Sequence, residues 1–344
     1  MLPRERVERA LDFKSVDIPA LECDVNPVGI YEHGEKLRTL IGSLDSDFGP
    51  VSQEQFAMPD ETHFDSDGRY HHIFTDEWGV TWEQRIFGVM GHPLKRPLDD
   101  WDNLDTYQLP PYGSWGKDST TVHRKQIQAI KDAGYFTKRG WIKFMELTYA
   151  VRRFEDVLMD VHTRDENLIR FTDKLMDFYR VNVENLLSLD VDCIQFADDL
   201  GTQTAPLISP QSFRDVYKPY FKELVSMVKK AGKRAFFHTC GYSLPFLEDL
   251  KEIGIDCVWP QLNTYDLNTL ADCCRDLQLA ACIHPERSGL MTHGTPEDVR
   301  REILRYHDIF RPQDGGFYYY LEIDNGFPYE NIVAMAETIR LLRQ

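Results

Sequence analysis

From about residue 118 to the carboxyl end, short apolar runs alternate with longer stretches of helical periodicity at least five times. That rhythm narrows the fold sharply, because strand and crossover helix in repeated succession build parallel strands, either closed into a barrel or opened into a doubly wound sheet. Strands are expected in W-I-K-F-M-E (141–146), V-D-C-I-Q-F-A (191–197), R-A-F-F-H-T-C (234–240), D-C-V-W-P-Q (256–261), L-A-A-C-I-H (279–284) and G-F-Y-Y-Y-L-E (316–322). Helices are expected at about 118–133, 164–187, 244–253 and 266–276, in T-P-E-D-V-R-R-E-I-L-R-Y-H and at the carboxyl end. Another opens at Ser209-Pro210, an N-cap followed by a proline at the first helical position. No G-x-G-x-x-G follows a strand and no G-x-x-x-x-G-K-[ST] occurs, which removes both phosphate-cradling loops. The expected fold is therefore α/β, a (β/α)8 TIM-type barrel, with residues 1–344 as one domain, a length such barrels reach when they carry insertions.

The amino-terminal third breaks the rhythm. A helix is expected at about 4–13, then a first barrel strand in V-D-I-P-A-L-E-C-D, interrupted early by Pro19. From about 50 to 115, Gly68, Tyr70, Ile73, Trp78, Val80, Trp82 and Ile86 show partial alternation among charges, and Pro93, Pro97, Pro110 and Pro111 break the chain. This stretch reads as a β-meander inserted near the start of the barrel.

Charge excludes some partners. With a formal net charge of −17 and a pI near 5.1, the long-range field repels nucleic acid and anionic membranes. The charged amino terminus has no signal-peptide core, and no run of about 18 apolar residues occurs, so a cytoplasmic protein is expected. Seven cysteines, an odd number spread over a long chain, read as reduced thiols rather than a disulfide framework.

In a parallel barrel, chemistry gathers where strands end and βα loops begin. Those positions hold Glu146, Asp198, Asp199, Gln203, His238, Cys240, Gln261, His284, Glu286, Arg287, Glu322 and Asp324. His238 and Cys240 are two apart on one strand and so share a face, where an imidazole and a thiol converge as half of a metal site. The bland alternative is a buried thiol beside a hydrogen-bonded core histidine. Catalytic zinc takes three protein ligands and keeps a fourth position open. Glu322, at the end of an aromatic strand, is the candidate for the third, with His284 and Asp199 as substitutes, and the mixed hardness of such a set suits zinc.

The chain resembles the uroporphyrinogen decarboxylase superfamily, in particular its zinc-dependent, corrinoid-linked methyltransferase branch. The likeness rests on R-E-R-V-E-R-A-L with V-D-I-P shortly after, F-A-D-D-L-G-T-Q, L-I-S-P-Q-S-F-R-D-V-Y-K-P-Y, K-R-A-F-F-H-T-C-G, H-G-T-P-E-D-V-R and P-Y-E-N-I, in that order along nearly the whole chain. The resemblance implies a distorted barrel whose His-x-Cys pair, here His238 and Cys240, binds Zn2+ with a later residue, commonly cysteine. No cysteine follows Cys282, and Glu322 stands near the equivalent place. The implied activity is transfer of a methyl group from a small methylated donor, a methoxylated aromatic among the options, to the corrinoid of a partner protein. Asp199, Gln203 and Glu146 would then orient the donor or pass a proton, and Trp259, Tyr318, Tyr320 and Phe327 would form an apolar wall. The alternatives are transfer from corrinoid to a thiol or tetrahydrofolate, a tetrapyrrole decarboxylase, and a barrel that binds a tetrapyrrole or corrinoid without turnover. Decarboxylases of the family grip their substrate with an arginine-rich loop near the amino terminus, and the corresponding L-E-C-D-V-N-P-V-G has no arginine.

Overall fold

A computed structural model describes residues 1–51, 58–111 and 117–344. Ten strands occur among them: β1 (Leu21–Val25), β2 (His72–Thr75), β3 (Thr81–Gln84), β4 (His92–Lys95), β5 (Lys138–Ile142), β6 (Cys193–Ala197), β7 (Arg234–Thr239), β8 (Cys257–Pro260), β9 (Ala280–Ile283) and β10 (Phe317–Ile323). Seven form one parallel sheet in the order β1-β10-β9-β8-β7-β6-β5, curled as a TIM-type barrel with helices outside. The other three make the antiparallel meander read at about 50–115, although 52–57 and 112–116 of that range lie outside the described residues.

The barrel stays open between β1 and β5, which are the two edges of the sheet. Across that seam Lys138 Nζ reaches Glu22 at 2.8 Å, and Nζ also lies 4.0 Å from the centroid of the Phe236 ring. Alternation within the strands sorts two cores. Ile194, Phe196, Phe237, Val258, Ile283 and Leu321 pack outward against the helices, while Cys193, Phe236, Cys257, Trp259, Cys282, Tyr318 and Tyr320 fill the lumen. Val7, Ala10 and Leu11 of the helix Pro3–Leu11 join the lumen cluster and close one end.

Helix starts follow the sequence signals. Ser209 accepts from the Ser212 N–H, Asp266 from the Thr269 N–H, and Thr295 and Asp298 form a reciprocal capping box. One expectation needs correction. Only the first two residues of W-I-K-F-M-E are strand: β5 is Lys138–Ile142, and Met145–Val151 is helical. The cause is Asp198, whose fully buried carboxylate accepts the N–H groups of Phe144 at 3.0 Å, Met145 at 3.0 Å and Glu146 at 2.8 Å. Three donors satisfied by one carboxylate turn the chain into a helix at this point. Asp198→Ala is expected to cost about 1–3 kcal/mol, because it leaves buried donors unpaired. A urea midpoint unchanged from the parent would refute this account. Among the described residues, no helix is long and apolar enough to cross a membrane.

Candidate metal centre

The strand end of β7 and the loop after β6 meet at the rim. His238 is buried near the end of β7, and Cys240 follows two residues later on the same face. His238 Nε2 lies 3.4 Å from Cys240 Sγ and 3.7 Å from Asp199 Oδ1, and all three donor atoms fall within 4.8 Å of one another. Four ligands around a tetrahedral ion with bonds of ~2.0–2.3 Å stand ~3.3–3.8 Å apart, so the two measured separations match the edges of such a tetrahedron. The donor set, an imidazole nitrogen, a thiol sulfur and a carboxylate oxygen, also fits zinc chemically.

The backbone fixes this approach. Cys240 donates its N–H to Asp199 Oδ1 at 2.8 Å, and the Gly201 N–H donates to the Cys240 carbonyl at 3.2 Å. The two loops pass so closely that a Cβ on Gly241, which has φ +73°, would stand 2.1 Å from the Gly201 oxygen. Only glycine fits there, and the contact holds Asp199 beside Cys240. Burial, helped by the charges of Arg287 and His284, holds His238 well below the ordinary imidazole range, which is the neutral form a metal requires. Burial, reinforced by Asp199, pushes the Cys240 thiol up, so its ionisation calls for a cation at the site.

Other expected residues distribute unevenly. Glu322 is not in the cluster: its Oε1 pairs with Arg287 at 3.1 Å, its Oε2 is buried without a hydrogen-bond partner among the described residues, and burial raises its pKa to about 7 against the opposing charge of Arg287. Arg287 opens a π-helical turn, Arg287–Met291, whose N–H groups are capped by Glu286, and this turn holds the guanidinium over Glu322. His284 turns both ring nitrogens to backbone carbonyls, Nε2 toward Pro260 at 2.9 Å and Nδ1 toward Pro285 at 3.2 Å. Of the two substitutes named for the third position, Asp199 is the one near the pair.

Glu146 is half-buried and bonded to Lys143 at 3.0 Å through Oε2, and its Oε1 has no hydrogen-bond partner among the described residues. Gln203 stands at the rim and contacts Gln261, which accepts the Gly241 N–H at 2.9 Å. Trp259 packs on His238 with ring centroids 4.1 Å apart and meets Tyr320 at 4.6 Å. Tyr320 donates to Asp24 at 2.9 Å, and the deeper Tyr318 donates to Glu22 at 3.2 Å. Phe327 packs in the outer, helix-facing core and lines no described cavity near the cluster.

Sequence reasoning missed Trp141, which stacks on His238 with centroids 5.3 Å apart. A register shift in β5 between Arg139 and Ile142, with Gly140 at φ +100°, accompanies this placement. The glycine inside an apolar strand was the available signal. Trp141, Trp259 and Tyr320 line a cavity of about 540 Å³ that opens at the β1/β5 seam and contains Glu22, Asp24 and Lys138.

The sequence matches the family described as uroporphyrinogen decarboxylase (URO-D) over residues 144–341, more than half of the chain. The chain belongs to the URO-D family. Its fold is similar to that of a methyltransferase from Methanosarcina mazei, with a TM-score of 0.63 and 13% sequence identity over 100% of each chain. A dihydropteroate synthase from Xanthomonas albilineans superposes more loosely on this URO-D chain, with a TM-score of 0.37 and 12% identity over 59% of this chain and 68% of that one. No curated protein matches the sequence. The matched span contains His238, Cys240, Asp199 and the Asp198-capped helix, so the candidate centre lies wholly within the family region.

Proposed function

We propose that the protein is a zinc-dependent methyltransferase that moves a methyl group from a small methylated donor to the cobalt of a corrinoid held by a partner protein. The observation that carries this reading is the convergence of His238 Nε2, Cys240 Sγ and Asp199 Oδ1 within 4.8 Å of one another, with the two contacts of His238 at tetrahedral-edge spacing, on the rim of a URO-D barrel. The likeness of fold to the Methanosarcina mazei methyltransferase supports the same direction.

Zinc, when bound, supplies Lewis acidity toward the heteroatom that carries the methyl group. The chain does the rest. His238 and Cys240 would hold the ion with a carboxylate, for which Asp199 lies beside the pair while Glu322 is bonded to Arg287. Trp141 and Trp259 flank the imidazole and keep water from that side. Glu146, bonded to Lys143, would orient the donor or pass a proton, and Gln203 steadies the rim through Gln261.

Two measurements test this. Purified protein should contain one zinc, and with a reduced corrinoid protein and a methylated donor it should change the corrinoid absorption to that of the methylated form; decarboxylation of a uroporphyrinogen instead would assign the other family activity. For the third ligand, Asp199→Asn is expected to weaken zinc binding at least ~10-fold in competition with a chromogenic chelator, while Glu322→Gln changes it little. The reverse ranking would give the position to Glu322.

A further inference from the structure

Alternation along β10 turns Glu322 to the side of Tyr318 and Tyr320, which fill the lumen, and alternation along β7 turns His238 to the side of Phe236. The two side chains therefore face one interior. Between their strands stands Trp259, whose ring meets His238 at 4.1 Å and Tyr320 at 4.6 Å. Glu322 nevertheless stays outside the 4.8 Å span that holds the donors of Asp199, His238 and Cys240. Arg287 accounts for this. Its Nη1 lies 3.1 Å from Glu322 Oε1 and 3.4 Å from Asp324 Oδ2, and the same charge acts on His238 and Cys240, so the guanidinium faces the cluster as well as the two carboxylates.

Neutralising a buried carboxylate does not by itself explain the pair. An arginine placed for that purpose bonds both oxygens in parallel. Here one nitrogen is shared between Glu322 and Asp324, and Glu322 Oε2 is buried with no hydrogen-bond partner among the described residues. An unpaired buried oxygen is destabilising and calls for a reason. The segment that carries Arg287 is specialised too. It is the π-helical turn Arg287–Met291, a rare form that gathers at functional sites, and Glu286 fixes it by accepting the N–H groups of Ser288, Gly289 and Leu290.

We propose that Arg287 is a positioning residue that holds the Glu322 carboxylate off the metal, so that His238, Cys240 and Asp199 remain the only protein ligands and the fourth position stays open. The inference rests on the zinc reading given above. Its ground is the number of donors. Zinc with three protein ligands keeps an open, catalytic position, whereas zinc with four is closed and structural. This rim carries an imidazole, a thiol and two lumen-side carboxylates, Asp199 and Glu322, which is one ligand too many for catalysis. An arginine bonded to the second carboxylate takes it out of the set.

The test is metal affinity, read without turnover, by competition with a chromogenic chelator on the full chain. Arg287→Met should bind zinc at least ~10-fold tighter than the parent, because Glu322 is released to the ion. Removing a positive charge also favours a cation, so the double variant Arg287→Met with Glu322→Gln separates the two causes: it should lose most of the gain. Arg287→Lys, which keeps the charge without the planar fork, should fall between parent and Arg287→Met. Cobalt(II) in place of zinc gives a second readout. Azide, which enters only an open position, should shift the visible absorption of the parent and leave that of Arg287→Met unchanged. The response of the parent needs no variant, so a folding defect at Arg287 cannot rescue the proposal. A parent that ignores azide, an Arg287→Met protein that binds zinc no tighter, or a double variant that keeps the whole gain overturns it. A parent that binds no zinc removes the zinc reading and this inference together, whereas a zinc-binding parent whose affinity is indifferent to Arg287 removes the inference alone.

Discussion

Cys240→Ala protein is expected to purify with almost no zinc and to lose methyl transfer by several orders of magnitude, while its circular dichroism and thermal midpoint stay close to the parent. The physical ground is the short donor list. His238 Nε2 and Asp199 Oδ1 remain 3.7 Å apart without the thiol, but two ligands on a rim hold zinc far more weakly than three. Removing groups that only orient a ligand costs metal sites ~10–100-fold in affinity or activity, so losing a ligand exceeds that range. The fold should survive because Cys240 stands past the end of β7, partly exposed, and the links between its loops are backbone bonds to Asp199, Gly201 and Gln261 that involve the Asp199 and Gln261 side chains rather than the thiol. Cys240→Ser is the sharper control: it keeps volume and polarity, yet an alcohol is a poor zinc ligand, so it should fail like alanine. Full zinc occupancy in either variant, by elemental analysis after chelator treatment, would exclude the His238–Cys240 site.

What the sequence revealed, and what it concealed, follows from range. Periodicity of two and 3.6 is local, so the strand and helix alternation, the meander and the shared face of His238 and Cys240 were all legible before any coordinates. Local reading reaches its limit where a distant side chain overrides local preference. W-I-K-F-M-E has strand character, but Asp198, more than fifty residues further on, binds three of its N–H groups and makes the second half a helix. Glu322 is at a strand end as expected, yet its partner is decided by Arg287 on a π-helical turn, and no spacing rule reports that contact. Asp199 reaches the His–Cys pair through a glycine-to-glycine crossing of two loops, which is a property of the fold and not of either loop. Trp141 and the charges of Glu22, Asp24 and Lys138 escaped notice for a related reason. They face inward on short strands at the open seam, and a charged residue in a five-residue strand reads locally as an outward position.

Lys138→Met is expected to destabilise the protein by about 3–5 kcal/mol, the largest stability loss predicted for any single substitution here. Lys138 starts β5 and Glu22 lies in β1, so their ion pair at 2.8 Å joins the two edges of a sheet that no described strand closes. Both side chains are about nine-tenths buried, at 9% and 10% exposure, which separates this pair from the exposed bridges elsewhere on the surface. Burial pulls the Lys138 ammonium toward neutrality, but Glu22 more than offsets it and its pKa is raised. Methionine keeps most of the packing against Phe236 while removing the charge, and Glu22 is left with only the Tyr318 hydroxyl at 3.2 Å. The loss is therefore the cost of an uncompensated buried carboxylate, not the intrinsic worth of the pair. That distinction makes a second result obligatory: adding Glu22→Leu to Lys138→Met should recover most of the stability, because a well-packed apolar pair of similar volume is often as good as a buried ion pair. Urea unfolding of the parent, both single variants and the double variant measures the coupling directly. If Lys138→Met stays within about 1 kcal/mol of the parent, or if the double variant is as unstable as the single one, the pair is not what holds the open seam together.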